Sequence, residues 1–303
     1  MARNWRGYIR AAWALSVATG LVAATSGTAP ARAAGVAEIV AHNGGTARAP
    51  ESTLAAFGHD IDVHAYGIEF AVRFSRDGVP VVIHDATLDR TTNCTGNVAD
   101  YTFDQLEQCD AGVRFARRFA GARIPSLDHT LSYIGRHSAS IRLFVHVKID
   151  DADQIRFVLR RLDSYGLAGD RTTLIGSTEA ILSTMRAAGA KRLGYVFNDE
   201  SGWSTDYPVL IPYDVPPGRG DVERAERRGQ KVLPVEDHPF TLADLADLGT
   251  TGMLANDVDA AIRLTRSAGP RASGLRPSNG GAGGGGGGDS DHRGSGGGGG
   301  GAF

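Results

Sequence analysis

The sequence predicts an α/β chain folded as a (β/α)8 TIM barrel, and three observations predict it. Apolar, β-rich runs alternate with helix-like stretches, the signature of a parallel sheet. One pair of runs is joined by a gap too short for any parallel connection. The segment free of terminal low-complexity sequence, about Ala34 to Ser278, is roughly 245 residues long, which suits one barrel domain. A doubly wound open sheet is the alternative arrangement of the same elements.

The runs are Glu38–His42, Tyr66–Phe74, Val79–His84, Arg142–Ile149, Thr172–Gly176, Arg192–Phe197, Val209–Tyr213, Lys231–Val235 and Gly252–Ala255. Helices are expected over Ser52–Ala65, Asp151–Tyr165, Thr178–Ala188, Gly218–Arg228, Thr241–Leu248 and Val258–Arg266. That makes nine strands for an eight-stranded barrel. The surplus is resolved by Ser75-Arg76-Asp77-Gly78, which alone separates Phe74 from Val79. A parallel crossover needs a dozen or more residues, so these two runs form an antiparallel hairpin turning at Asp77-Gly78. Pairing Phe74 with Val79 sets Glu69 opposite His84 and Ala71 opposite Val82, each pair on one face. The long segment Ala86 to His129 then reads as a small insertion.

The ends read differently from the middle. Arg3, Arg6 and Arg10 precede an apolar stretch, Ala11 to Ala24, and then Ala31-Arg32-Ala33, a small-x-small cleavage pattern. Residues 1–33 are therefore expected to be a signal peptide, with the protein secreted, either extracellular or at the cell surface. The apolar run is too short and too rich in Ala, Gly, Ser and Thr to serve as a stable transmembrane anchor. Residues 279–303 are mostly Gly and read as a disordered tail, leaving 34–278 for the barrel. Without the four arginines of the leader, 28 basic residues face 34 acidic ones, a net charge of −6, which argues against nucleic acid as a partner. Cys94 and Cys109 both lie in the exported part, where a disulfide that staples the insertion is the default expectation.

Several blocks resemble the glycerophosphodiester phosphodiesterase family: "AHNGG" at 41–45, "APESTLAAF" at 49–57, "GVPVVIHDATLDRTTNCTG" at 78–96, "IPSLDHTL" at 124–131, and "GMLANDVDAAIRL" at 252–264. The resemblance implies a barrel of the PLC-like phosphodiesterase type, one divalent metal, and two histidines, here His42 and His84, that cleave a phosphodiester. The substrate it implies is a small-molecule or lipid-derived phosphodiester. The residue types suit that chemistry. One imidazole removes the proton of an attacking hydroxyl while the other protonates the leaving oxygen.

The chain also departs from the family pattern. The first motif is His-Arg-Gly in the family, and Asn43 stands here for the arginine. Glu69 is kept from Glu-x-Asp, but Ala71 replaces the aspartate. In place of Glu-x-Lys the chain has His146-Val147-Lys148, and Asn256 takes the place of a common Asp. Lys148 and Asn43 are thus the expected substrate contacts, and Glu69 with His146 the expected metal ligands. Two of three acidic ligands are missing, and Glu69 with a neutral His146 is a poor site for Mg2+ or Ca2+. Three readings follow: an altered metal site using imidazoles, a histidine pair working without a metal beside Lys148, or a catalytically inactive member that binds a phosphate or polyol. Asp85 and Asp257 are the nearest acids that could reach the Ala71 gap. An ion pair between Glu69 and Lys148 is expected in any case. Glu51 is read as an acid in the first turn of a helix, and Trp203 and Tyr207 as lining either the mouth or a loop core.

Overall fold

Strand alternation sorts the apolar side chains into two cores, one inside a barrel and one between the barrel and its helices. The computed structural model describes residues 38–215, 217–237 and 241–267; the expected signal peptide and Gly-rich tail lie outside the described residues. The strands are β1 (Glu38–Ala41), β2 (Gly67–Phe74), β3 (Pro80–Val82), β4 (Arg142–Val147), β5 (Thr172–Gly176), β6 (Leu193–Phe197), β7 (Val209–Pro212), β8 (Lys231–Val232) and β9 (Gly252–Ala255). Their order is β8-β7-β6-β5-β4-β2-β1-β9, and every ladder along it is parallel. The circle closes by a bridge between Val235 and Leu254, flanked by Leu254 N–H to Pro234 O at 2.9 Å and Glu236 N–H to Leu254 O at 2.8 Å. The β7–β8 ladder stops at Val232 because Pro212 has no N–H to give Leu233 O, and Pro234 likewise lacks the N–H that would extend the pairing with β9.

Val40, Phe144, Ile175, Val209, Ile211, Leu233 and Leu254 fill the barrel interior. Ile68, Phe70 and Val72 of β2, and Leu143, Val145 and Val147 of β4, face outward onto the helices. These are α1 (Leu54–Asp62), α2 (Phe103–Leu106), α3 (Leu127–His137), α4 (Ala152–Ser164), α5 (Glu179–Ala187), α6 (Arg219–Arg227), α7 (Leu242–Asp247) and α8 (Val258–Ser267). Side-chain caps start most of them: Thr53 accepts from Ala56 N–H, Ser126 from His129 N–H, and Asp151 from Gln154 N–H. Helix α3 was not among the expected elements. It buries Leu127, Thr130, Leu131 and Ile134, spaced as one helical face. Trp203 and Tyr207 belong to the outer core; Trp203 packs edge-on against Phe197 at 5.2 Å, and neither lines the barrel mouth. No helix among the described residues is long and apolar enough to cross a membrane.

The hairpin forms as expected, but in another register. Val72 pairs with Val82, Arg73 with Val81 and Phe74 with Pro80, one residue away from the expected pairing. Ser75 causes the shift. Its N–H donates to Val79 O at 2.9 Å, and its hydroxyl accepts from Val79 N–H at 2.9 Å. The loop therefore has three residues, with Gly78 left-handed at φ 80°, rather than four. In this register His84 does not sit opposite Glu69. It reaches the same cavity because the ladder ends at Val82 and the chain turns inward, where Arg73 Nε donates to His84 O at 2.9 Å. The outer edge of β3 is covered by the Pro125-Ser126 segment, with Val82 N–H to Pro125 O at 2.9 Å.

The insertion has its own small core of Val81, Ile83, Leu88, Val98, Leu106, Ala111 and Ile124. Cys94 and Cys109 are disulfide-bonded inside it, 15 residues apart. Closing a loop of that length stabilises by about 3 kcal/mol in the chain-entropy account. Replacing both cysteines by serine should therefore lower the unfolding free energy by about 3 kcal/mol in a urea titration; an unchanged midpoint would show that the staple contributes nothing.

Candidate active site

The C-terminal ends of the strands surround a cavity of about 410 Å³. His42, Glu69, His84, His146 and Lys148 all line it, together with Ile175, Ile211 and Tyr213. The residues expected to form the site are thus brought together, with Asn43 buried beside them.

His42 follows β1 in the turn His42-Asn43-Gly44-Gly45. Asn43, Gly44 and Gly45 all have positive φ, which Asn and Gly tolerate best. This backbone aims the Asn43 N–H at Glu69 Oε2, at 2.9 Å. Gly45 is needed for space as well, since a Cβ there would lie 2.8 Å from Asp60 Oδ1. The His42 ring is oriented across the seam between β1 and β9. Asn256 Nδ2 donates to the Glu236 carbonyl at 2.6 Å, which leaves Asn256 Oδ1 as an acceptor for His42 Nδ1 at 3.0 Å. His42 therefore carries its proton on Nδ1 and turns a lone pair on Nε2 toward Asn43 Nδ2 at 3.3 Å. Glu236 supports this arrangement, because its Oε2 accepts from Asn256 N–H at 2.6 Å and Asp257 N–H at 3.2 Å.

His84 is anchored in the same manner from the opposite side. Its Nδ1 donates to Asp85 Oδ1 at 2.8 Å, and Asp85 is gripped by Arg90 through Nε and Nη2 at 2.6 and 3.0 Å. Arg90 also forks onto both oxygens of Glu51 at 2.7 Å. Burial pushes the Asp85 carboxyl up, but the hydrogen bonds from Arg90 and His84 prevail and hold it at about 2. Glu51 precedes α1 and Thr53 caps that helix, so Glu51 is a holder of Arg90 rather than a first-turn acid.

Lys148 Nζ lies 2.9 Å from His84 Nε2, and the ammonium donates to that ring nitrogen. This replaces the expected ion pair: among the described residues Glu69 makes no contact of ion-pair length with Lys148. Burial lowers the pKa of Lys148, and burial with the nearby ammonium lowers that of His84 against the pull of Asp85. His146 pairs in register with Ala71 on the neighbouring strand and is kept neutral by burial and by Lys148. Its Nδ1 is 3.8 Å from Glu69 Oε1, too long for a hydrogen bond, and its Nε2 is buried without a protein partner.

This donor set does not fit a hard divalent cation. Among the described residues Glu69 is the only carboxylate lining the cavity, and its Oε2 is already taken by Asn43. Ala71 presents a fully buried methyl. Neither reserve acid reaches it, since Asp85 holds His84 and Arg90 while Asp257 pairs with Arg48 and caps Ala260 N–H. Arg73, two residues beyond Ala71 on the same strand face, and Lys148 both raise the local positive field that acts on His146. Among the described residues no group of three or more His, Cys, Asp or Glu side chains is arranged to hold a metal ion.

A parallel barrel with a cavity at its C-terminal mouth, framed by two oriented imidazoles and a lysine, defines the class of protein. Residues 42–168 match the glycerophosphoryl diester phosphodiesterase family. A glycerophosphodiester phosphodiesterase of Caldanaerobacter subterraneus is 45% identical over 97 residues, and glycerophosphodiester phosphodiesterase 1 of Mus musculus is 40% identical over 104 residues. These matches span 32% and 34% of this chain, and 40% and 31% of the relatives' lengths. A glycerophosphodiester phosphodiesterase of Agrobacterium tumefaciens superposes with a TM-score of 0.65 at 25% identity, over 75% of this chain and 99% of that one. A phosphodiesterase of Oleispira antarctica, in complex with the product sn-glycerol-3-phosphate, shares the fold with a TM-score of 0.68 at 21% identity, over 77% of this chain and 97% of that one.

Below this mouth, Asp60 is fully buried with neither carboxyl oxygen bonded. Burial, reinforced by Asp259, raises its pKa from 3.8 to about 8. An acid whose folded pKa is raised costs stability as pH climbs from its unfolded value to its folded one, here from about 4 to about 8. Asp60→Asn should therefore stabilise the protein by on the order of 2–4 kcal/mol at pH 8 and by much less at pH 4.5, measured by denaturant titration at both pH values. An equal effect at the two pH values would show that Asp60 does not titrate in this window.

Proposed function

We propose that the protein is an exported phosphoric diester hydrolase acting on glycerophosphodiesters or related lipid-derived diesters, with His42 and His84 as its acid–base pair. The observation that carries this reading is that two imidazoles, each anchored at Nδ1 by a hydrogen-bond acceptor, line one cavity. Its volume lies in the range of small-molecule sites. The disulfide supports an oxidising compartment.

The anchors support one division of roles. His42 Nε2 has a lone pair and only a long contact to Asn43, so it is the base that takes the proton of the attacking hydroxyl. As the new O–P bond forms and the old one breaks, the leaving oxygen takes a proton from His84 Nε2. That proton comes across the 2.9 Å contact from Lys148. The two nitrogens share one proton, so they titrate as a unit. If the attacking hydroxyl belongs to the substrate, the cyclic phosphate is then released or opened by water with the two histidines exchanging roles. Lys148 offsets the phosphate charge until that proton moves, and Arg73 behind it keeps its charge throughout, in place of a divalent metal. Glu69 holds the His42 turn through the Asn43 N–H.

One observation favours a second reading. Lys148 occupies the His84 nitrogen that must face the substrate, and a phosphate held there without turnover is the ligand-binding alternative. Steady-state hydrolysis of a soluble glycerophosphodiester separates the two. On the catalytic reading, His42→Ala and His84→Ala each lower kcat by about 10²–10⁴-fold. Tight binding by the wild type without turnover, unchanged in both variants, would support the binding protein. Arg90→Ala releases Asp85 and Glu51 together, and should reduce kcat by on the order of 10- to 100-fold through misplacement of His84. Wild-type kcat in that variant would remove Arg90 from the account.

A further inference from the structure

The insertion projects a loop whose composition is unlike that of the rest of the chain. Ala111 to Arg123 contains Arg114, Arg117, Arg118 and Arg123 and no acidic residue, in a chain of overall net charge −2. Val113 and Phe115 are 44% and 38% exposed, two of the three large hydrophobic residues exposed among the described residues. The loop is held in this form from its neck. Asp110 accepts from the N–H groups of Gly112, Val113 and Gly121 at 2.7–2.9 Å, and Ala111 N–H donates to Ala122 O at 2.8 Å. The disulfide at Cys109 immediately precedes the neck. Phe115 meets Phe119 edge-on at 5.4 Å, and the Arg118 guanidinium lies 4.7 Å from the Phe119 ring centre. Phe119 packs partly against the main core, while Val113 and Phe115 stay exposed.

We propose that this loop docks the protein on a lipid bilayer bearing anionic headgroups. Clustered arginines complement the surface charge, and the neighbouring Val113 and Phe115 enter the headgroup layer. The exposed apolar side chains favour a bilayer over a soluble polyanion, which gains nothing from them. The position fits the site. A recess of about 180 Å³ is lined by Phe115 and Arg114 on one side and by Glu51 and Arg90 on the other, and Arg90 holds Asp85, the partner of His84. Docking there presents the cavity mouth to the headgroup layer. The inference does not depend on catalysis, because it is read by binding alone.

Co-sedimentation with phosphatidylcholine vesicles, with and without 30% phosphatidylglycerol, provides the test. The protein is expected to bind the anionic vesicles at least tenfold more strongly than the neutral ones, and to be released by salt. Arg117→Glu with Arg118→Glu should remove the preference. Val113→Ser with Phe115→Ser keeps every charge and should still lower binding several-fold, with thermal stability and turnover of a soluble diester unchanged. Absence of vesicle binding by the wild type would overturn the proposal. So would serine variants that bind like the wild type, because that outcome makes the loop a polyanion site. Loss of hydrolysis in His42→Ala leaves vesicle binding intact, so the two readings fail separately.

Discussion

A single short contact, Lys148 Nζ to His84 Nε2, organises the chemistry of the cavity. It exists because two chain segments with different geometries end at one point. Lys148 follows a regular parallel strand paired with β2, whereas His84 arrives on a hairpin arm that leaves the sheet after Val82. Among the described lining residues Glu69 is the only carboxylate, and with Lys148 beside it the lining suits an anion better than a hard cation. Everything else around the histidines keeps the two rings facing it: Asp85 and Arg90 behind His84, Asn256 and Glu236 behind His42.

The substitutions at the mouth form a set. Ala71 and His146 are partners in the ladder between β2 and β4, so loss of both acids removes adjacent oxygen donors together. An acid restored at position 71 alone would face the neutral His146 imidazole, and one restored at position 146 alone would face the Ala71 methyl, with Lys148 and Arg73 near it. The exchange of Arg for Asn at position 43 belongs to the same shift. Asn43 lies in the left-handed region at φ 50°, and its backbone N–H, rather than a guanidinium, reaches Glu69. The insertion extends the polar network outward, since Arg90 joins the Asp85–His84 pair to the recess beside the arginine-rich loop.

Most of the barrel was legible because hydrophobic alternation and the four-residue gap are strong, local signals. Strands β5 and β9 run over the expected residues, and the hairpin was forced by chain length alone. The register was missed because Ser75 closes the turn with both its N–H and its hydroxyl, a side-chain effect that turn composition does not reveal. Helix α3 was missed because Asp128, His129, Ser132, Arg136 and His137 dilute a narrow apolar stripe. Within the site, the family-like blocks pointed to His42 and His84. The residues that orient them were not legible: Arg90 and Glu51 are 39 positions apart, and Asn256 and Glu236 meet only where the barrel closes. Such pairs carry no periodicity and become visible only once the fold juxtaposes them.

The central claim is that lysine and arginine, not a divalent ion, meet the charge of the substrate phosphate. The direct measurement is bound metal by elemental analysis, together with turnover of a soluble glycerophosphodiester before and after exhaustive chelation. The account predicts no stoichiometric metal, turnover that survives chelation, and loss of turnover in Lys148→Met. Stoichiometric Mg2+ or Ca2+ in the purified protein, with turnover abolished by chelation and restored by that ion, would contradict it.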